Sequence, residues 1–427
     1  MSGAGTSGVG TGLLEPTAEH GELRDAVRAV LARHPGHAAW APLTAQIGAA
    51  ALAVPEEYGG LGCGPAEVGV VMAELGRALS PVPYLGSAVL TTGALLASGD
   101  REACAKHLPQ LAEGTAVGAL AWAEDPGDGP APRKAGAGSR ASSGSGVEAG
   151  AGAEAGAGSE AGAGGPRGSW EAHELTARAE PAGSGWVLTG SKRYILAGPA
   201  EPSLLLAFAR TAPVPGAAGG PGAGASNGTG PGRGHGPLGL FELLAPPAAF
   251  TVRSTMDLTR PLAELTLDRT PARLLSADGA GVLARVRDLA CTALAAEQAG
   301  AAARALEATV RYAKERVQFG RPIGSFQAVK HRLADLHTAV EGARSLALAA
   351  AAADADPDLA AAARSACSEA FAYVAGEMIQ LHGGIGITWE HEAHEYFKRA
   401  HGSALLFGSP AAHRERLAAR LGFLPAG

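Results

Sequence analysis

The hydrophobic period of this 427-residue chain changes twice, and those changes limit its fold more than any single motif. Before about Val117, apolar residues recur at the spacing of one helix face. Thr17 is placed to cap a helix carrying Leu23, Val27, Val30 and Leu31, which His34-Pro35-Gly36 stops. A second helix follows Pro65, with Val68, Val71, Met72, Leu75 and Leu79 in one stripe and Ser80-Pro81 at its end. From Val117 the pattern shortens to apolar runs at 117–122, 186–188, 193–196, 204–209, 240–244, 250–255 and 262–267. Gly, Pro and Asp bound these runs, which read as strands, with Thr189-Gly190-Ser191-Lys192 as a hairpin turn between two of them.

After about residue 280 the helical period returns. One helix is expected over 282–316. A second begins near Ser325, with Phe326, Val329, Leu333, Leu336, Val340 and Ala343 on one face. Asp356-Pro357, an N-cap with proline at the first helical position, announces a third. It carries Phe371, Val374, Met378 and Leu381 and ends at Gly383-Gly384, where positive φ is cheap. Ala-rich helices with short connections argue for an antiparallel bundle, because small side chains let axes approach closely. The expectation is a mainly α chain with a β middle domain: helical over 17–116, β-rich over 117–279, helical over 280–427. Residues 1–16, 126–169 and 211–237 are rich in small residues and proline and hold few large apolar side chains. Such segments bury too little surface to offset the entropy of ordering, so they read as a disordered tail and two disordered insertions.

A net charge of -6 gives no attraction to nucleic acid or an anionic membrane, and no apolar run is long enough to span a bilayer. The N-terminus shows no basic segment followed by an apolar run and a cleavage site. Cys63, Cys104, Cys291 and Cys367 lie far apart, without zinc-site spacing. They read as reduced thiols in a cytoplasmic enzyme.

Three segments carry a resemblance. The first runs Arg311-Tyr312-Ala313-Lys314-Glu315-Arg316-Val317-Gln318-Phe319-Gly320-Arg321-Pro322-Ile323-Gly324-Ser325-Phe326-Gln327. The second is Gln380-Leu381-His382-Gly383-Gly384-Ile385-Gly386; the third joins the loop Val54–Gly60 to Glu74-Leu75-Gly76-Arg77. In this order and spacing the chain resembles the acyl-CoA dehydrogenase family, over its whole length apart from the tail and the insertions. The resemblance implies a helical N-terminal domain, a β-barrel-like middle domain and a C-terminal four-helix bundle. It implies FAD as cofactor, an acyl-CoA substrate, a homo- or hetero-oligomer (dimer or tetramer) and an electron-transferring flavoprotein as acceptor. Arg316, Gln318, Phe319, Gln327, Gln380, Gly383, Gly384 and Gly386 are then the cofactor-binding candidates. Their chemistry agrees: a pyrophosphate needs a planar, bidentate cation and backbone amides in close approach. In the family, the counterparts of Arg316 and Gln327 reach the FAD of a neighbouring subunit.

Forming a Cα=Cβ bond beside a thioester needs a positioned carboxylate to remove the α-proton, while the β-hydrogen leaves as hydride to the flavin. The family places a glutamate in the loop that here reads Arg399-Ala400-His401-Gly402-Ser403-Ala404-Leu405-Leu406-Phe407-Gly408-Ser409. Phe407 stands at that position and cannot accept a proton. Some members place the base on the first long helix of the bundle, where counting back from Arg316 reaches Ala290. Asp288 lies about 200° around that helix and Glu297 roughly 10 Å along it; both read as solvated carboxylates. The flavin-facing strands have also lost hydroxyls, at Trp122-Ala123-Glu124-Asp125 and Tyr194-Ile195-Leu196. The resemblance therefore leaves two readings: a dehydrogenase acting alone, or a catalytically silent subunit completing the FAD site of a base-carrying partner. A metal hydrolase built on His391 and His394 lacks the zincin order of ligands, and a plain scaffold would not demand the Arg316–Gln327 and Gln380–Gly386 segments.

Overall fold

The computed structural model describes residues 17–124, 171–198, 201–211 and 236–423. The expected tail, the insertion at 126–169 and most of that at 211–237 lie outside these residues. The N-terminal part is helical: α1 (Ala18–Arg33), α2 (Trp40–Ala45), α3 (Pro65–Arg77), a π-helical turn (Leu85–Thr91), α4 (Thr92–Ser98) and α5 (Arg101–Glu113). Thr17 caps α1 by accepting from the His20 amide. The stripe expected through Leu79 stops earlier. Leu79 donates to Gly76 O and Ser80 to Leu75 O, the paired bonds of a Schellman ending, with Leu79 itself at φ 46. Leu79 is buried, but it reaches the core from a turn rather than from the helix.

The middle of the chain is β1 (Gly118–Ala121), β2 (Arg178–Ala182), β3 (Gly185–Ile195), β4 (Leu204–Thr211), β5 (Leu238–Leu243), β6 (Ala249–Arg253) and β7 (Leu262–Ser276). Strand β4 pairs in parallel with β1 and β2 and antiparallel with β5. The path then runs through β7 and β3 back to β2, so the sheet closes on itself and forms the barrel-like middle domain. The hairpin turn expected at Thr189–Lys192 is not one. Those residues lie inside β3, where the register with β7 shifts between Leu188 and Gly190. The β2–β3 turn falls instead at Gly183, with φ 62. Lys192, polar and turn-like in sequence, points inward and pairs with buried Glu124.

The C-terminal part holds α6 (Gly279–Glu315), a short hairpin of β8 (Val317–Gln318) and β9 (Arg321–Pro322), α7 (Gln327–Ala352), α8 (Pro357–His382), α9 (Ala393–Ser403) and α10 (Pro410–Arg420). Asp356 caps α8 at its start and Gly383, at φ 62, ends it. Ala295, Ala343, Ala347, Ala350, Ala363 and Cys367 form one buried cluster where α6, α7 and α8 meet. Helix α3 lies on α6 backbone to backbone. A Cβ on Gly76 would stand 2.0 Å from Glu297 O, and one on Gly300 2.1 Å from Ala73 O. That contact seats the N-terminal helices on the bundle and brings Glu297 to the junction of the helical and β parts.

Candidate functional site

The eight cofactor candidates come from two ends of the bundle that one contact joins. Tyr312, in the last turn of α6, stacks on His382 at the end of α8 (4.3 Å between ring centres) and donates to its carbonyl at 3.3 Å. Arg316 caps α6 and is exposed. The two-residue turn Phe319-Gly320 has positive φ at both positions (52° and 75°), the geometry of a tight hairpin, and holds Phe319 92% exposed at its tip. Gln318, Gln327, Gln380, Gly383 and Gly384 are also exposed; Gly386 is buried. A Cβ on Gly386 would press on His382 and Ile379 O at 3.1 Å, whereas one on Gly383 or Gly384 meets open space. A bare glycine backbone beside an exposed guanidinium and three amide side chains fits the pyrophosphate end of a dinucleotide.

The other expected site lies inside and is filled. Phe407, in the turn after α9, is fully buried at φ 58 and stacks on Trp122 with ring centres 4.1 Å apart and 20° between planes. Arg364 on α8 holds that turn from behind. Its guanidinium is fully buried and donates to Leu406 O at 2.8 Å and also to Ser403 O. Ala290 is buried in α6 and offers no polar atom.

Neither nearby carboxylate is the solvated group expected from the sequence; both are buried and paired. Asp288 meets Arg416 at 2.6 Å and Arg287 at 3.4 Å. Glu297 lies between Arg260 and Arg399, and Arg399 also reaches Asp257 at 2.7 Å and Thr259. Burial would push the Glu297 carboxyl up, but the two guanidiniums outweigh it and hold it below the usual carboxylate range. Beside this cluster, between Ser80, Leu85, Gly86, Leu196, Arg260 and Glu297, the remaining cavity is about 30 Å³, room for a single water.

His391 precedes α9 and accepts from the Ala393 amide through Nδ1, so it does not share a helix face with His394. No group of three or more candidate metal ligands gathers among the described residues.

Residues 17–115 match the family described as acyl-CoA dehydrogenase, N-terminal domain, and residues 278–422 match acyl-CoA dehydrogenase, C-terminal domain. The chain is 35% identical over 419 residues to the acyl-CoA dehydrogenase IpdE2 of Mycobacterium tuberculosis, covering 95% of this chain and 98% of that one. The chain belongs to the acyl-CoA dehydrogenase family. Membership brings FAD and oxidoreductase chemistry on CH–CH bonds. Among solved structures it is similar to the ChsE4-ChsE5 complex of Mycobacterium tuberculosis (TM-score 0.74, 25% identity, 97% of this chain and 100% of that chain). It is also similar to the Tcur3481-Tcur3483 steroid acyl-CoA dehydrogenase variant (TM-score 0.70, 28% identity, 95% and 98%). No helix among the described residues is long and apolar enough to cross a membrane.

Arg399, Arg364 and the Trp122–Phe407 stack escape a sequence reading. The available signal is Trp122 itself, a large ring beside Ala123, where the resemblance expects a threonine.

Proposed function

We propose that this chain serves α,β-dehydrogenation of an acyl-CoA as the base-lacking subunit of a mixed assembly, with Arg316, Gln318, Phe319, Gln327, Gln380, Gly383, Gly384 and Gly386 completing the FAD site of a glutamate-bearing homologue. The observation that carries this reading is the Phe407–Trp122 stack. It fills the place of the base with rings, while both neighbouring carboxylates are committed to arginines. The exposed, glycine-lined edge supports it from outside, as does the likeness to ChsE4-ChsE5 and Tcur3481-Tcur3483, each named as a pair.

Bound FAD would supply the acceptor for the β-hydrogen, which leaves as hydride. The residues of this chain would bind and orient it: the Arg316 guanidinium would meet phosphate charge, the amides of Gln318, Gln327 and Gln380 would supply neutral partners, and the 383–386 backbone would offer amides to the pyrophosphate. The proton at the substrate α-carbon goes to the partner's carboxylate, since Phe407 holds none. A flavoprotein electron acceptor fits the family and is part of this proposal.

One observation favours the chain acting alone. The amide N–H of buried Phe407 donates to no acceptor among the described residues, and in the family that amide binds the thioester oxygen. Flavin content separates the two readings. Expressed alone, the chain is expected to hold far less than one FAD; co-expressed with a glutamate-bearing homologue, it regains flavin and activity together. Full flavin and normal acyl-CoA oxidation by the isolated chain would overturn the mixed assembly.

A further inference from the structure

The π-helical turn Leu85–Thr91 separates two hollows of very different size. Leu85 and Gly86 face the 30 Å³ remnant beside Glu297. Ala88 and Val89, one turn on, line a cavity of about 350 Å³ on the opposite side, enclosed by Val68 of α3, Gly93 and Ala97 of α4 and Ala293 of α6. Its two lining hydroxyls are already spent: Thr92 donates to Ser87 O and Thr292 to Asp288 O. The interior therefore offers no free donor, and its walls are otherwise apolar. Polarity is confined to the mouth, where Arg285 pairs with Asp354 and the Cys63 thiol is partly exposed.

We propose that this cavity binds a compact apolar molecule with one carboxylate at its outer end. Size sets the body. A dry apolar cavity of roughly 150 Å³ takes a benzene ring, so one of this volume takes a body of about two rings or a branched acyl group of that bulk. It falls within the range of natural ligand pockets. The wall points the same way, because π turns occur mostly as isolated features at functional sites, and this one spans seven buried residues. Charge sets the end group. The Arg285–Asp354 pair is an exposed surface pair, with side chains 40% and 74% accessible, and such pairs are weakly held. Arg285 also donates to Asp354 O at 2.7 Å, which keeps the guanidinium at the rim, and a ligand carboxylate that leaves water there is a better partner for it than the solvated Asp354 carboxylate. The proposal does not depend on the mixed assembly, since every residue involved lies in this chain and away from the Arg316–Gly386 edge.

The probe is 2-naphthoate, titrated calorimetrically into the full-length chain alone and again into the chain with its partner. Saturable one-to-one binding is expected in both. Ala97→Phe, which fills the cavity from the last turn of α4, should abolish it. Arg285→Met should weaken it about tenfold, the loss of one charge-assisted contact. The neutral analogue 2-naphthylmethanol should bind the wild-type chain about as weakly as 2-naphthoate binds the methionine variant. Protection of Cys63 from N-ethylmaleimide gives a second readout on the unmutated protein, with Cys63→Ser as control, so a poorly folding Ala97→Phe chain does not decide the outcome. No saturable heat at millimolar probe, unchanged binding in both variants, or undiminished Cys63 alkylation with probe present would each overturn the proposal. Binding that appears only with the partner chain would place the site at the subunit interface and overturn it as drawn.

Discussion

The edge at Arg316–Gly386 and the interior at Phe407 are where the family resemblance places cofactor contacts and the base, and they are built in opposite ways. The edge is open, polar and built of backbone: seven of its eight candidate residues are exposed or lie on an exposed loop, and its strained φ values sit at a hairpin tip and a helix end. The interior is closed and over-filled. A tryptophan and a phenylalanine stack where a carboxylate is expected, and a four-residue ion cluster borders what space remains. A subunit that only lost activity would show no reason to keep the edge. A subunit that retains one half of a site while sealing the other is suited to lending that half to a neighbour.

The sharpest way to break the contrast is to substitute on each side and compare stability with flavin content. Arg399→Leu strips one of two cations from Glu297 and leaves Asp257 without its guanidinium partner. Removing one member of a buried ion cluster typically costs about 3–5 kcal/mol, so chemical denaturation should show a loss of that order. A loss under about 1 kcal/mol would mean that the cluster is wetter than its burial implies. Phe407→Glu tests the same interior from the other direction. A carboxyl beside Trp122 finds no cation in that stack, so it should destabilise by about 1–3 kcal/mol, titrate well above the usual carboxylate range and restore no acyl-CoA oxidation to the isolated chain. Measurable turnover in that single variant would show the interior to be far less sealed than described.

On the edge the pattern reverses. Arg316 is exposed and pairs with no carboxylate among the described residues, so Arg316→Ala should leave the unfolding free energy within about 0.5 kcal/mol of wild type. In the co-expressed assembly it should lower FAD retention tenfold or more, the loss of a bidentate charge contact to phosphate, about 1.4 kcal/mol or greater. Unchanged flavin after gel filtration would remove Arg316 from the cofactor site.

These two regions also differ in how far the sequence discloses them. The edge is local: Arg316 to Gln327 is one helix end, one tight hairpin and one helix start, and Gly383–Gly386 is one helix end. Spacing along the chain is enough to find it. The interior shows itself only as an absence, a phenylalanine at 407 and an alanine at 290. What replaced the carboxylate is non-local, since Asp257, Arg260, Glu297 and Arg399 come from a β-domain loop and two helices, and their charges look solvated until the fold brings them together. The same limit explains the false turn at Thr189–Lys192. Glycine, serine and lysine in a row suggest a turn, but a register shift at Gly190 keeps the strand running, and Glu124 from elsewhere draws Lys192 inside.

The smallest expected effect at pH 6 and above is a pH dependence that reaches both regions through different histidines. His413 on α10 is buried behind Phe407; desolvation pushes its pKa down, the nearby Arg364 and Arg416 push the same way, and the folded value falls to about 3. His382, under the glycine loop, is also lowered, first by burial and then by His391. For a group whose folded pKa is depressed, the unfolded chain takes the proton first. The stability due to neutral His413 is therefore complete above pH 6.5 and is lost as pH falls from there toward 3. At pH 6 the loss is still below about 1 kcal/mol, and near pH 4 it reaches about 3 kcal/mol. Urea midpoints at pH 7.5, 6 and 5 should fall in wild type and fall less in His413→Leu, whose interior has no proton to take up. Flavin retention in the assembly should drop over the same range in both proteins, because His382 and the edge are untouched by that substitution. If His413→Leu abolished the flavin loss as well, the interior and the edge would be coupled, and the division between them would have to be redrawn.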